Sequence, residues 1–499
     1  MKQKEGNTRK YNKTGTFLFL MLLIILMVVV SFSRNIGKLN LTGNVIAPGS
    51  AGCDFNPADL NNNGIIDTNE ANNYVSCWKT NCGSYSNVNI DYVTRAVYLA
   101  NSGGNYICAD TGNYPLKWIS GTIIVPSPAI GINSCGVISQ PGYYKLQNDV
   151  STNGTCLTIQ ANNVILDLNG FTIRGSGLDD NPGYGVYANG YNSITIRNGL
   201  ITEFSSTQGV GNFIWGSTGI LLTRSSNNII SNISSTGNHH GIYLYIDASN
   251  NRIINNNISF NGNGGIRIQF RSNNNTMHNN IMEGDADGIY VDSSRNNLID
   301  NNTFKNGGDI GVYLVLGSNN NFVTNNAIKT TNTGIVIELG SNNSLIANNV
   351  IESNNYFGIQ LVRTSVNNTL LNNQILNNPF YSILSYDGIN TNYLVYNNSY
   401  GEIRWTDASF LGNLTFKGNL GLGINLTLSS NFAEVNSQAF PVGKINSAAN
   451  ITLYGLPTTM INPRIYKSGV VCTDCYNFTS LNAGKVKFNV TSWGSYKIQ

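Results

Sequence analysis

Charge is what this chain has least of. Asp, Glu, Lys and Arg supply 11% of its 499 residues, against about 25% in ordinary soluble proteins. Basic residues gather nowhere except at the extreme N-terminus and are not interleaved with aromatics, so nucleic acid is excluded as a partner despite a formal net charge of +3. Nucleophilic Ser/His/Asp signatures are missing, and so is a phosphate-cradling glycine loop: Gly262-Asn263-Gly264-Gly265 belongs to a turn between repeats. What remains is 41% apolar and otherwise rich in Asn, Ser and Gly. Such a chain can bury a core while showing water amides and hydroxyls, and at this length it needs several domains or a repeat.

The one basic cluster has its own explanation. Lys2, Lys4, Arg9, Lys10 and Lys13 precede the apolar run Phe17 to Phe32, the layout of a signal peptide or a retained signal anchor with its positive side in the cytoplasm. Ser31-Phe32-Ser33 would serve as a small-x-small cleavage site, so both fates stay open. Either puts the body outside the cytoplasm, and an anchor makes the membrane a partner. Eight cysteines suit an oxidising compartment. Cys472-x-x-Cys475 reads as a local structural disulfide, and Asn-x-Ser/Thr sequons from Asn40 to Asn489 permit glycosylation.

A repeat emerges when glycines are aligned: Gly219, Gly241, Gly265, Gly288, Gly311, Gly334 and Gly358 fall 22 to 24 residues apart. Each is followed by an apolar–variable–apolar triplet: Ile220/Leu222, Ile242/Leu244, Ile266/Ile268, Ile289/Val291, Val312/Leu314, Ile335/Ile337, Ile359/Leu361. Alternation with period two means a strand with one buried face. An Asn-rich corner follows (Asn228, Asn251, Asn274, Asn297, Asn320, Asn343, Asn368). Two more apolar columns come next, Ile230, Ile253, Met277, Ile299, Val323, Leu345, Leu370 and Ile233, Ile258, Ile281, Phe304, Ile328, Ile351, Ile375. Three inward-facing strands per coil, stacked about 4.8 Å apart, give a continuous interior with amide ladders at the corners. The fold class is all-β, a right-handed parallel β-helix solenoid; leucine-rich repeats would show helical segments and propeller blades a period of about 40 residues.

These coils, with the opening segment Cys135-Gly-Val-Ile-Ser139, Gly142-Tyr-Tyr-Lys-Leu146 and Val164-Ile-Leu-Asp-Leu-Asn-Gly170, resemble the pectate-lyase-like β-helix superfamily, nearest its NosD-type and carbohydrate-binding/sugar-hydrolase branch, over residues 132–400. The resemblance implies a fold shared by lyases, hydrolases, epimerases, adhesins and proteins without catalysis. The NosD likeness also suggests copper delivery, for which three His and six Met, scattered, make no soft-ligand site.

The most specific local motif is Asp59-x-Asn61-x-Asn63-Gly64-Ile65-x-Asp67-x-x-Glu70, which satisfies every defined position of an EF-hand calcium loop. Asp59, Asn61, Asn63 and Asp67 offer side-chain oxygens, Ile65 its carbonyl and Glu70 a bidentate carboxylate, giving a structural Ca2+ site of weak, extracellular type. The short, Pro57-containing segment before it is closer to the loop–helix half of a dockerin, which raises a cohesin-like partner, although a second loop is missing. The expected organisation is a basic tail (1–16), the signal segment (17–33), a linker (34–52), a Cys-rich EF-hand/dockerin-like region (53–112), a linker (113–131), the β-helix (132–400) and a C-terminal β-sandwich-like domain (401–499) that caps the open end.

Outward positions of each coil's first strand concentrate aromatic and polar groups: Tyr187, Tyr243, Tyr245, Arg267, Gln269, Tyr290, Asp292, Tyr313 and Glu338. Rings pack on sugar C–H faces while carboxylates, amides and guanidinium groups bond hydroxyls, so this ridge is the candidate carbohydrate site. Stacked tyrosines also simply stabilise strands. Catalytic candidates beside the ridge are His240, Asp287, Asp309, Asp292 and Glu338; Asp292 and Glu338 lie two coils apart, about 9.6 Å, near the upper limit for an inverting pair. The expectation is a cell-surface β-helix that binds polysaccharide or acts as an adhesive or structural protein; the alternative is a polysaccharide hydrolase, lyase or epimerase.

Overall fold

A computed structural model describes residues 129–177, 183–205, 216–385 and 392–499 and, before them, 58, 66, 70–74, 76, 96, 99, 106–108 and 118–120. The chain divides into two compact units, Met1–Pro126 and Ser127–Gln499. In the first, residues 70–74 are helical, Ala58, Ile66, Ala71, Tyr74, Ala96 and Leu99 are buried, and Tyr106–Cys108 pairs antiparallel with Trp118–Ser120. Glu70 lies in the helical stretch; the other calcium positions, Asp59, Asn61, Asn63, Ile65 and Asp67, lie outside the described residues, as do the signal segment 17–33, Cys53, Cys77 and Cys82. Among the described residues no helix is long and apolar enough to cross a membrane.

The second unit is a right-handed parallel β-helix of about ten turns. One coil shows the pattern: strands Gly264–Gln269, Thr276–His278 and Ile281–Glu283 pair in parallel with Asp287–Asp292, Leu298–Asp300 and Thr303–Lys305 of the next. The glycine column has a steric cause. A Cβ on Gly241, Gly311 or Gly334 would lie 2.6 Å from the carbonyl oxygen of the equivalent residue one coil on, so only glycine lets the rungs close there. Inside, Ile242, Ile266, Ile289, Val312 and Ile335 superpose with no exposed surface, as their alternation demands.

Three slips by one or two residues separate the expected columns from the observed ones. The second column takes Ile346, not Leu345; the third takes Met282, not Ile281, and Ser235, not Ile233. Leu345 and Ile281 have an apolar neighbour, and the turn between strands decides which of the two points inward; Ile281 is left 43% exposed. The Asn corner runs Asn228, Asn251, Asn275, Asn297, Asn321, Ser344, Asn368, each N–H donating to the next side-chain oxygen. Asn274, Asn320 and Asn343 instead hold the left-handed backbone just before it, at φ of 57°.

From Gly401 the chain turns antiparallel. Tyr393–Asn398 pairs with Gly401–Trp405, then Ala449–Leu453 and Val486–Val490 extend that sheet, while Phe416–Lys417 pairs with Tyr381–Ser385, the last coil's first strand. These strands occupy the solenoid's C-terminal edge. Disulfides join Cys135 to Cys156 and Cys472 to Cys475.

Candidate functional site

Of the candidate residues, His240, Asp287 and Asp309 lie where a coil enters its first strand, and the others follow along or just past the outward face of that strand. Strand register stacks His240, Gly264, Asp287, Ile310, Thr333, Phe357 and Tyr381 in one column. The turn just ahead stacks in step: the N–H of Asn263 donates to the His239 carbonyl (2.8 Å), Asp309 to Ala286 (2.7 Å), Tyr356 to Asn332 (2.8 Å) and Phe380 to Tyr356 (3.1 Å).

Beyond this edge the outward column runs Tyr187, Leu221, Tyr243, Arg267, Tyr290, Tyr313, Val336. Outward does not mean exposed. Tyr243 is 3% accessible, packed with Tyr184, Leu221, Tyr187 and Tyr245, and burial raises its phenol pKa. Its hydroxyl donates to Gln269, whose amide donates to Asp292 (3.2 Å), which also accepts from Ser293 (2.7 Å). The Arg267 guanidinium lies 4.1 Å from the Tyr290 ring centre, and Tyr290 meets Tyr313 edge to face at 5.2 Å. Tyr313 donates to Glu338, whose other oxygen is 3.6 Å from Arg363. Asp292 and Glu338 are thus held by separate partners two rungs apart, with Val315 between. Tyr187 stands three rungs from Arg267 and packs on Tyr184.

Asp287 is the most chemically poised group. Burial pushes its carboxyl up to about 6, against the pull of Arg267 and with the push of Asp309. Arg267 keeps its Nε buried without a hydrogen bond. His240 is buried, its ring 5.4 Å from that of Tyr243. The cluster therefore offers a near-neutral carboxyl, a cation, tyrosine faces and an imidazole along a few rungs, enough to bond hydroxyls or to move a proton.

Reading the sequence missed the corner that precedes this edge. There the left-handed positions are Phe260, Gly284, Asn306, Thr330, Ser353 and Asn377, and the residues after them form a ladder, Asn238–Asn261–Asp285 and Thr331–Asn354–Asn378, broken at Gly307. Asp285 is 1% exposed; its Oδ1 accepts both Asn261 donors, but Oδ2 has no partner, and a small cavity opens between it and Gly307. An aromatic in the left-handed region, an orphaned buried oxygen and a missing rung all fall beside Asp287 and Asp309. The available signal was a break in the Asn doublets.

The family model described as "periplasmic copper-binding protein (NosD)" matches residues 143–285 and 206–420, together more than half the chain. The chain belongs to the NosD family. No curated protein matches it in sequence. Among solved structures it is similar to a periplasmic alginate epimerase mutant (17% identity, TM-score 0.40, 50% of this chain and 63% of that one). It is similar also to a DFA-IIIase from Arthrobacter chlorophenolicus A6 (11%, 0.35, 54% and 83%) and to a surface adhesin of Streptococcus pneumoniae (15%, 0.37, 54% and 76%). The chain thus spans less than two thirds of the epimerase.

The described residues do not fit copper. His278 pairs with Asp300 on another strand column, away from His239 and His240, and Met277 and Met282 point into the core. Cys472, Asp474 and Cys475 lie close enough to share an ion, but the two sulfurs are bonded to each other.

Proposed function

We propose that this edge binds an extended polysaccharide outside the cytoplasm, making the protein a glycan-binding β-helix of the cell surface or periplasm. The observation that carries this is the run of partly open side chains Arg267, Tyr290 and Tyr313 on consecutive rungs, supported from behind by the buried Tyr243, Gln269, Asp292 and Glu338. Repeated rings and hydrogen-bonding groups at rung spacing suit a repeating ligand, which binds by extent rather than at one centre. Catalysis on the same glycan is the second reading, favoured by the Asp287 carboxyl near neutrality between Arg267 and Asp309.

Tyr290→Ala with Tyr313→Ala should abolish retention on immobilised polysaccharide, whereas Asp287→Asn with Asp309→Asn, whose amides still bond hydroxyls, should keep most of the retention and remove turnover. Unchanged retention in the tyrosine variant, with its melting curve also unchanged, would overturn the binding reading. We infer in addition a structural calcium ion at Asp59–Glu70, motivated by its complete ligand pattern. Calorimetry on the full chain should show one weak calcium site that Glu70→Ala removes; an identical titration in that variant refutes it.

A further inference from the structure

The same edge changes chemistry along its length. Towards the C-terminus, two rungs beyond Asp309, the turn column becomes Tyr356 and Phe380, and the strand column beside it becomes Phe357 and Tyr381. The four rings touch: Tyr356–Phe380 at 5.4 Å, Phe357–Phe380 at 6.1 Å, and Phe357 stacked on Tyr381 at 6.2 Å with only 8° between their planes. Tyr356 is 46% and Phe380 53% exposed, their rings tilted at 48° to each other, so they form an open aromatic platform with more than one facet rather than a piece of core. At about 4.8 Å per rung it begins about 10 Å from Asp309. That is too far for one sugar ring lodged at Asp287 and within reach of a chain of several.

Charge narrows the ligand further. The face carries four carboxylates, Asp287, Asp292, Asp309 and Glu338, against the guanidinium groups of Arg267 and Arg363. Glu338 and Arg363 face each other, leaving one cation among three acids. A uronate chain would bring like charge to this floor on every unit, while an uncharged chain presents hydroxyls to the acids and C–H faces to the rings.

Resting on the glycan-binding reading, we propose that the ligand is an uncharged oligosaccharide stretch of several units, and that Tyr356, Phe357, Phe380 and Tyr381 form its distal subsite. The acidic segment grips hydroxyls at one end; the platform stacks sugar faces at the other.

An array of neutral and uronate oligosaccharides of about two to eight units tests this, followed by calorimetry on the best hit. The intact chain should take neutral glycans, with affinity rising with length. Tyr356→Ala with Phe380→Ala, both surface rings, should weaken the longest binder about tenfold, the scale of one or two aromatic contacts, and leave the shortest binder unchanged. Preference for uronates overturns the assignment of an uncharged ligand. Equal affinity of the variant for long glycans removes the platform while leaving the glycan-binding reading intact. A parent chain that binds nothing on the array overturns both.

Discussion

Two kinds of corner turn this chain, and they differ in how strictly they repeat. At the corner through Asn256, Asn280, Asn302, Asn326, Asn349 and Asn373 the doublet is invariant: the first Asn takes the left-handed backbone, and the second sends its Oδ1 to the N–H and Nδ2 of the preceding rung. Each backbone and side-chain polar group inside is matched, so neutral amides can be buried at little cost. At the corner ahead of the candidate site the same geometry is built from Phe260, Asn261, Gly284, Asp285, Asn306 and Gly307. The backbone path persists while the side chains that justify it are exchanged. Where fold alone governs, the repeat is exact to the atom type; where it lapses, another demand is acting on the sequence.

The sharpest way to break the comparison is to exchange the two rungs. In the regular ladder, Asn326 Oδ1 accepts from Asn302 and its Nδ2 donates to the Ile299 carbonyl (2.9 Å). Asp285 Oδ1 likewise accepts from Asn261, so its Oδ2 stands where a donor belongs, a role a carboxyl fills only when protonated. Burial pushes this carboxyl up to about 7. An acid whose folded value lies above its unfolded one, ~3.9, favours folding when protonated; its charged form costs stability from about pH 4 upward, levelling off above pH 7. Asp285→Asn should therefore stabilise the protein by roughly 4 kcal/mol at pH 8 and by under ~1 kcal/mol at pH 4.5. Asn326→Asp should impose the mirror-image loss, larger still if the Ile299 carbonyl repels the new charge. Denaturant unfolding at both pH values reads this; pH-independent curves for Asp285→Asn would show that the carboxyl is not buried as a neutral rung.

How far the sequence disclosed this architecture follows from what sets each feature. Glycines at steric pinch points and alternating Ile/Leu/Val announce themselves, because backbone approach and burial each tolerate few residues; the first column was legible residue by residue. The other columns slipped at Leu345 and Ile281, where adjacent apolar residues let alternation be read in either phase. The doublet's division of labour was not legible, since two neighbouring Asn residues look alike until one has φ of 57°. At the site, strand alternation correctly put Tyr243, Arg267, Tyr290 and Tyr313 on one side. It could not foresee that Tyr243 is covered while Tyr290 and Tyr313 keep an open flank, because covering depends on segments distant in sequence.

The smallest expected effect tests whether the irregular corner is strained for a purpose. Phe260 holds φ of 54° with its side chain 62% exposed, in a position where other coils use Gly, Asn, Thr or Ser. A left-handed backbone costs a bulky residue about 1–2 kcal/mol, which Asn offsets by local hydrogen bonding. The ring's compensation is slight: it lies against Gly284, where an added Cβ would meet it at 2.5 Å, and most of it faces water. Phe260→Asn should therefore raise stability by about 1 kcal/mol, whereas Phe260→Leu keeps the strained backbone and should leave stability near the parent's. If the strain serves to present a ring beside Asp285 and Asp287, both variants should lose glycan retention to the same extent although their stabilities move apart. A Phe260→Asn chain that is less stable than the parent would mean that the ring holds the turn together, and the lapse at this corner would then be packing rather than recognition.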